Sequence, residues 1–159
     1  MREKPNNPLA LKTLKVWRIT ATMECFFFLL IPIVYVIAGR YVELPQWPIY
    51  VLVIVVFIIG YFKITLFPKL QWKKWRYKIY ENEVELMYGV FVVRRVIIPM
   101  IRVQHVDTRQ GPILRHYGLS SVTISTAATI HEIPGLEEVK ADELRDHIAE
   151  LAREADPNE

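Results

Sequence analysis

Residues 48–67 read PIYVLVIVVFIIGYFKITLF, and residues 25–39 read CFFFLLIPIVYVIAG. The former run contains one charged residue, Lys63, and as an α-helix it is long enough to cross a hydrocarbon core roughly 30 Å thick. The latter extends back to Ile19 as a second apolar segment of similar length. The sequence therefore predicts two transmembrane helices. They are expected at about residues 17–39 and 48–67 of a membrane region that covers 17–68.

The connection between the two helices is short. Residues 39–47, GRYVELPQW, leave room only for a tight antiparallel hairpin. A cleaved signal peptide is the alternative interpretation of the first helix, because Val36-Ile37-Ala38 is a passable cleavage site by residue size. A charged leader before the helix and a second span close behind it favour retention of the first helix.

Charge is distributed unevenly along the chain. Residues 1–78 carry 12 Lys or Arg against 3 Asp or Glu, a net of +9, whereas residues 79–159 carry 8 against 14, a net of −6. The positive charge flanks the apolar runs, and Lys and Arg are retained on the cytoplasmic side of a membrane. We therefore expect a multi-pass plasma-membrane protein with both termini cytoplasmic, residues 1–16 forming the N-terminal segment, and no nucleic-acid partner. A basic patch is expected at the membrane surface: Lys69, Lys73, Lys74, Arg76 and Lys78.

Two charged residues, Glu24 and Lys63, lie inside the predicted helices. In an antiparallel hairpin both fall near the cytoplasmic end, about 10 Å in from Trp17 and about 7 Å in from Pro68. Charges in hydrocarbon usually pair or face a cavity, so one hypothesis is that the two side chains pair or that Glu24 faces a partner subunit. The other is that Lys63 snorkels to the headgroups while Glu24 is protonated or hydrated at the margin.

After Gln71 the apolar pattern changes from continuous to alternating. Residues 75–80 and 84–88 alternate around a Glu81-Asn82 turn, which predicts a β-hairpin. Pro134-Gly135 is expected to end the last strand. The remaining strands are predicted at 90–98 (as one strand or two), 101–108, 119–126 and 130–133.

A helix is predicted to follow the strands, because Ala141, Leu144, Ile148 and Leu151 recur at spacings of three and four. The fold class is therefore a membrane α-helical hairpin plus an α+β, mostly β, cytoplasmic domain. The domain is expected over residues 69–153, with a frayed tail at 154–159. One cysteine, Cys25, and four scattered histidines indicate neither a disulfide nor a zinc site, and no cofactor or metal is expected.

The run from Trp75 to Ala127 resembles the bacterial pleckstrin-homology-like membrane protein family. Its recurring pattern is a W-R-Y opening strand, then I-P-x-x-R-[IV]-Q, then Q-G-P-[IL]-x-R-x-x-G-L, and a strand ending T-A. The resemblance covers roughly residues 70–153 and implies a pleckstrin-homology (PH) type barrel or sandwich of seven strands with a C-terminal helix. The matching residues are Trp75, Arg76, Tyr77, Pro99, Arg102, Gln104, Gly111, Pro112, Arg115, Gly118, Leu119, Thr126 and Ala127.

The motif residues are interpreted mainly as structural. Gly111-Pro112 and Gly118 serve turns. Arg102, Gln104 and Arg115 are expected to satisfy backbone groups or to bridge acidic residues, since side-chain hydrogen bonds go mostly to backbone or water. Contact with a partner protein is the alternative role for these three side chains.

No arrangement of residues indicates catalysis, so we do not expect an enzyme. Ser120, Ser121, Ser125, His105 and Asp107 can be assembled into a triad on paper, but Ser and His in alternating strands are mostly ordinary sheet residues. The resemblance implies the small subunit of a membrane complex with a larger PH-domain sister protein, or a homo-oligomer, with a role in envelope stress or resistance to membrane-active peptides. The alternative is an accessory protein that binds or handles anionic lipids, with membrane lipids as its partners.

Overall fold

The computed structural model describes residues 5–42 and 45–155. Their chain forms two compact units: one covers residues 17–69, and the other joins the segment up to Val16 to the segment from Leu70 onward. Glu43 of the expected external loop, residues 1–4 of the N-terminal segment and residues 156–159 of the tail lie outside the described residues.

Two helical stretches of the described chain, Leu11–Ala38 and Trp47–Lys74, are long and apolar enough to cross a membrane. The first consists of α1 (Leu11–Phe28) and α2 (Leu30–Ala38), so the helix begins six residues before the expected start at Trp17. It is interrupted at Leu29, whose N–H donates to the Phe26 carbonyl three residues back. Pro32 follows three residues later, and its ring and missing N–H disfavour a regular helical turn there.

The second stretch consists of α3 (Trp47–Tyr61), a π-helical turn (Phe62–Leu66) and α4 (Phe67–Lys74). In the π turn the Phe67 N–H donates to the Phe62 carbonyl, five residues back. Pro68 follows directly and has no N–H to continue the regular ladder. Single π turns inside α-helices are rare and often lie at functional positions, and this one contains Lys63.

The other unit contains seven strands within the described residues, arranged in two antiparallel sheets. The strands are β1 (Asn7–Pro8), β2 (Arg76–Ile79), β3 (Glu83–Tyr88), β4 (Arg94–Pro99), β5 (Val103–Arg109), β6 (Leu119–Thr126) and β7 (Ile130–Glu137). Neighbours in the first sheet follow the order β1-β2-β3-β4, and in the second β5-β6-β7. A short helix, α5 (Pro112–His116), joins β5 to β6, and a 3₁₀ turn (Met100–Arg102) joins the two sheets.

The core of this unit lies between the sheets and the final helix, α6 (Glu138–Ala155). Ala141 and Ile148 of the predicted apolar stripe are fully buried, and Leu144 and Leu151 are partly covered. The predicted fold class, two apolar helices with a mostly β domain and a C-terminal helix, is confirmed. The strand side chains that complete the core are Val84, Leu86, Ile98, Leu119, Val122, Ile124, Ile133 and Leu136.

Two local strand predictions differ from the structure. Residues 90–93 do not belong to a strand, because Gly89 takes a φ of 115° and turns the chain out of β3. Pro134-Gly135 does not end β7 but forms a bulge within it, where the pairing with β6 shifts by one residue. Proline is tolerated there because β7 is an edge strand, so the position needs no N–H for a second neighbour.

The N-terminal segment up to Val16, which includes the first turns of α1, belongs to the sheet unit. β1 pairs antiparallel with β2, and Leu9, Thr13 and Val16 are buried. The Thr13 hydroxyl and the Ala10 N–H both donate to the Gly135 carbonyl, and Trp72 Nε1 donates to the Leu9 and Ala10 carbonyls. The seventh strand of the fold thus comes from the N-terminal segment.

Candidate functional site

The two charged residues inside the membrane helices lie together in the structure. Lys63 Nζ is 2.6 Å from Glu24 Oε2 and 5.2 Å from the ring centroid of Phe28. The π turn carries Lys63 on the side of its helix that meets α1, so one cation contacts both a carboxylate and an aromatic face. Glu24 remains 53% exposed, which leaves room for a lipid headgroup or a second protein beside the pair.

Three of the five expected patch bases share one cavity, whereas Lys78 does not join them. Lys73, Lys74 and Arg76 line a cavity of about 480 Å³ together with Met87 and Val93. Arg76 Nη1 donates to the Trp75 carbonyl at 2.7 Å, and Lys74 Nζ donates to the Val90 carbonyl at 2.8 Å.

Lys73 differs from the other two bases of this cavity, and Lys78 and Lys69 do not line it. Lys73 makes no side-chain hydrogen bond or ion pair with any residue that the structure describes. Lys78 Nζ lies 4.8 Å above the Tyr80 ring and lines a different cavity. Lys69 belongs to the membrane unit. The three bases that line the cavity therefore form the compact part of the predicted patch.

Several motif residues shape the sheet unit. Trp75 is buried and stacks on Tyr88 at 6.0 Å between ring centroids. Tyr77 is buried in β2, and this burial raises the pKa of its phenol. Three motif residues define the short helix: Gly111 and Pro112 begin α5, and Gly118 follows its end with a φ of 64°. Pro99 ends β4, and Thr126 at the end of β6 bonds to Thr129. Leu119 is fully buried in the core.

Arg102, Gln104 and Arg115 behave differently from the other motif residues. All three side chains are exposed, and within residues 5–42 and 45–155 none makes a side-chain hydrogen bond or ion pair. The structure therefore does not show the bonds to backbone or acidic groups that we expected for them. Ala127 is also exposed.

Arg102 and Gln104 lie together at one end of the second sheet. The pairing between β5 and β6 shifts between Val103 and His105, so Gln104 is a bulged residue on an edge strand. Bulges on edge strands re-aim side chains and occur often beside functional sites. The exposed side chains of Ile101 and Ile130 flank this end of the sheet. We call Ile101, Arg102, Gln104 and Ile130 the sheet-end surface.

Arg115 does not belong to this surface. It lies on α5, which follows the opposite end of β5, so the length of a seven-residue strand separates it from Arg102. At about 3.4 Å per residue that is roughly 20 Å. The sequence motif thus marks two separate exposed positions on the same sheet.

One charged pair escaped the sequence analysis. Glu85, on β3, is 0% exposed and accepts a hydrogen bond from Arg95 Nε. This contact raises the pKa of Arg95, chiefly through the hydrogen bond itself. The alternation of β3 indicated an exposed Glu85, but its cross-strand neighbours Lys78 and Ile97 lie beside it on that face. The two adjacent arginines, Arg94 and Arg95, were the feature of the sequence that could have indicated a charged partner on the neighbouring strand.

No metal site is formed by the described residues: no three His, Cys, Asp or Glu side chains lie where they could hold one ion. The serines and the histidine that could be combined into a Ser-His-Asp triad are sheet residues. Ser120 and Ser121 are buried, and His105 is exposed on β5.

Comparison with known proteins agrees with the fold. A family profile described as "Bacterial PH domain" matches residues 25–152. The chain is 46% identical over 156 residues to the UPF0699 transmembrane protein YdbS of Bacillus subtilis (strain 168), which covers 98% of each protein. No solved structure matches the chain. The profile begins within the first membrane helix and includes the whole second helix and strands β2 to β7, so membrane helix and sheets belong to one pattern that these proteins share.

Proposed function

Because the chain belongs to the bacterial PH domain family of membrane proteins, we propose that it is the small, non-enzymatic subunit of a membrane complex. The other subunit is a larger membrane protein that carries several PH-like domains. The observation that carries the proposal is the sheet-end surface, where Arg102 and Gln104 are exposed and have no partner within the described chain. Such side chains are free to bond to a second protein.

Two further features support a protein partner. β5 is an edge strand, and exposed edges offer unpaired backbone groups to another chain. Glu24 remains half exposed beside Lys63, and intramembrane charges usually face another polar group. A complex can therefore be held at two levels, one in the sheet unit and one in the membrane unit.

Co-purification in mild detergent tests this proposal. The tagged chain from its own bacterium should elute with a multi-PH-domain membrane protein, and the double variant Arg102→Ala with Gln104→Ala should lose most of it. Arg109→Ala is the matched control, because Arg109 is an exposed arginine at the other end of the same strand. Elution of the unaltered chain as a monomer with bound anionic lipid, and without such a protein, would contradict the proposal.

A role in envelope stress or in resistance to membrane-active peptides follows from this assignment as part of the proposal. A strain that lacks the chain should become more sensitive to such peptides. Restoration by the unaltered chain, but not by the sheet-end double variant, would connect the phenotype to the surface.

The second candidate function is the binding of anionic lipids by the bases around the 480 Å³ cavity. Juxtamembrane bases attract anionic lipid by about 1 kcal/mol each. Lys73→Ala should lower the amount of phosphatidylglycerol that stays bound in detergent, whereas Lys78→Ala, which removes a base from a different cavity, should not. Equal loss in both variants would indicate general charge attraction only.

A further inference from the structure

The segment between β3 and β4, residues 89–93, presents apolar side chains to the surroundings. We call it the β3–β4 loop. Phe91 is 90% exposed and Val92 is 73% exposed, and Val93 is exposed as well. Three consecutive exposed apolar residues are unfavourable in water unless they contact something else. The loop therefore has the composition of a contact surface.

The loop has a defined shape. Gly89 takes a φ of 115°, and a Cβ at this position would lie 2.0 Å from the Val92 carbonyl oxygen. The chain therefore folds back closely on itself at a position where only glycine fits. Lys74 Nζ donates to the Val90 carbonyl at 2.8 Å and fixes the start of the loop to the end of α4. These contacts fix the base of the loop, and its apolar tip remains exposed.

The surroundings of the loop are basic. Val93 lines the cavity that also contains Lys73, Lys74 and Arg76, and Arg94 follows it as an exposed side chain. The described residues that line this cavity include no acidic side chain. An apolar tip with a cationic rim is the pattern of segments that lie in the interface of an anionic membrane.

Chain connectivity brings this loop close to the bilayer. Lys74, which bonds to the loop, follows Phe67 by seven residues of α4, or about 10 Å of helix. Phe67 ends the second apolar run. The two polar headgroup layers together add roughly 10 to 15 Å to a hydrocarbon core about 30 Å thick, so each layer is roughly 5 to 7 Å thick. The attachment point of the loop therefore lies no more than about 5 Å beyond the headgroup layer.

We propose that the β3–β4 loop inserts Phe91 and Val92 into the headgroup–acyl boundary of an anionic bilayer, with the surrounding bases against lipid phosphates. This goes beyond the proposed complex, and depends only on the membrane anchoring of the chain. A surface on a second protein would need acidic groups around an apolar pocket, whereas a bilayer with anionic lipids offers both next to the anchor.

Site-specific fluorescence in nanodiscs tests the proposal. Phe91→Cys in a Cys25→Ser background is labelled with a polarity-sensitive dye, and the full chain is reconstituted with equal parts of phosphatidylcholine and phosphatidylglycerol. Val139→Cys is the matched control, because Val139 is another exposed apolar residue, on α6. We expect a blue-shifted emission at position 91 that spin-labelled lipids quench, and an unshifted, weakly quenched emission at position 139.

Two outcomes would overturn the proposal. The same water-like emission at positions 91 and 139 would show that the loop stays in solvent. A blue shift at position 91 without quenching by spin-labelled lipid would show that protein covers the loop instead. Val92→Cys repeats the test at a second exposed residue, so that a folding defect of one variant cannot decide the result. The blue shift at position 91 is expected whether or not the larger subunit is present. Failure of the loop proposal can therefore be distinguished from failure of the proposed complex.

Discussion

Gly135 joins two segments that are far apart in the chain. Its φ of 62° allows the bulge in β7, and its carbonyl accepts hydrogen bonds from Thr13 and Ala10. A Cβ at this position would lie 2.2 Å from Thr13 Oγ1 and 2.7 Å from Thr13 Cβ. Glycine is therefore required here both for backbone conformation and for space.

Gly135→Ala should destabilise the sheet unit by about 2 to 5 kcal/mol, since the left-handed conformation contributes about 1 to 2 kcal/mol and the overlap with Thr13 about 1 to 3 kcal/mol. Gly111→Ala is the matched control, because its φ is negative and no atom lies within 4 Å of the added Cβ. Thermal unfolding in detergent measures the difference. Equal midpoints for the two variants would show that the Thr13 contact does not form.

The buried Tyr77 makes stability depend on pH in the alkaline range. Burial raises the pKa of its phenol in the folded state, whereas the unfolded chain ionises near the ordinary value of about 10. The contribution of Tyr77 to the free energy of unfolding is thus fully present below about pH 10 and is lost as the pH rises towards the folded-state pKa.

Tyr77→Phe should therefore lose less stability than the unaltered chain between about pH 8 and pH 11. Thermal midpoints at both pH values give this difference. The control is Tyr41→Phe, because Tyr41 is among the most exposed aromatic residues. An identical alkaline decrease for Tyr77→Phe and the unaltered chain would contradict the expectation.

At the scale of elements, the π turn controls where the intramembrane lysine lies. In a regular α-helix successive side chains are rotated by about 100° around the helix axis. The π turn is wider, so it changes the direction of the side chains that it contains. Lys63 lies in this turn and meets Glu24 of α1, and Cys25 of the same helix lies 3.8 Å from the position of a Cβ on Gly60. The two helices thus meet through a glycine and a charged pair.

Charge reversal tests the pair. Glu24→Lys or Lys63→Glu alone should reduce the amount of chain in the membrane several-fold, because an unpaired charge at a helix centre costs about 2.5 to 3.5 kcal/mol and somewhat less near the end. The double exchange should restore most of it. Membrane fractions quantified by immunoblot give the comparison. If the exchange fails to rescue either single variant, the two residues do not depend on each other.

The elements that the sequence predicted best are those with a strong local signal. Runs of about 20 apolar residues identify membrane helices, and alternation identifies most strands. The pattern of residues 90–95, VFVVRR, predicts a strand, but the positive φ of Gly89 turns residues 90–93 into a loop before β4 begins. The contacts of β1 and Thr13 were missed because their partners lie across both spans, and no local pattern reports them.

The candidate surfaces follow the same division. Glu24, Lys63 and the bases near the second span could be named from charge alone, because charges at membrane helices are unusual. The exposure of the Arg102 and Gln104 side chains could not be predicted from the sequence, because the bulge at Gln104 depends on the register of β5 with β6. The buried Glu85 was hidden for a similar reason: its cover comes from neighbouring strands.

For the whole molecule, the sheet unit restricts how the chain can cross a membrane. It contains β1, which precedes the first helix, and β2, which follows the second, and the two are paired. Paired strands lie on one side of a bilayer, so an even number of crossings is required. The bases that flank the spans favour the cytoplasmic side.

Cysteine labelling in intact cells tests this topology. In a Cys25→Ser background, Tyr41→Cys in the short loop should react with an impermeant maleimide. Val139→Cys should react only after the membrane is permeabilised; both positions are exposed in the structure. Reaction of Val139→Cys in intact cells would indicate the opposite orientation. If neither cysteine reacts in intact cells, the short loop does not reach the outside.

The bond between Thr13 and Gly135 also imposes an order on biosynthesis. The ribosome releases Thr13 long before Gly135, which follows it by 122 residues. Both apolar helices are synthesised between them, so β1 can meet its partners only after both have left the ribosome. The sheet therefore closes last, and a nascent chain in which only one helix has entered the bilayer leaves Thr13 and Gly135 on opposite sides. Closure of the sheet therefore requires Thr13 and Gly135 to reach the same side of the bilayer.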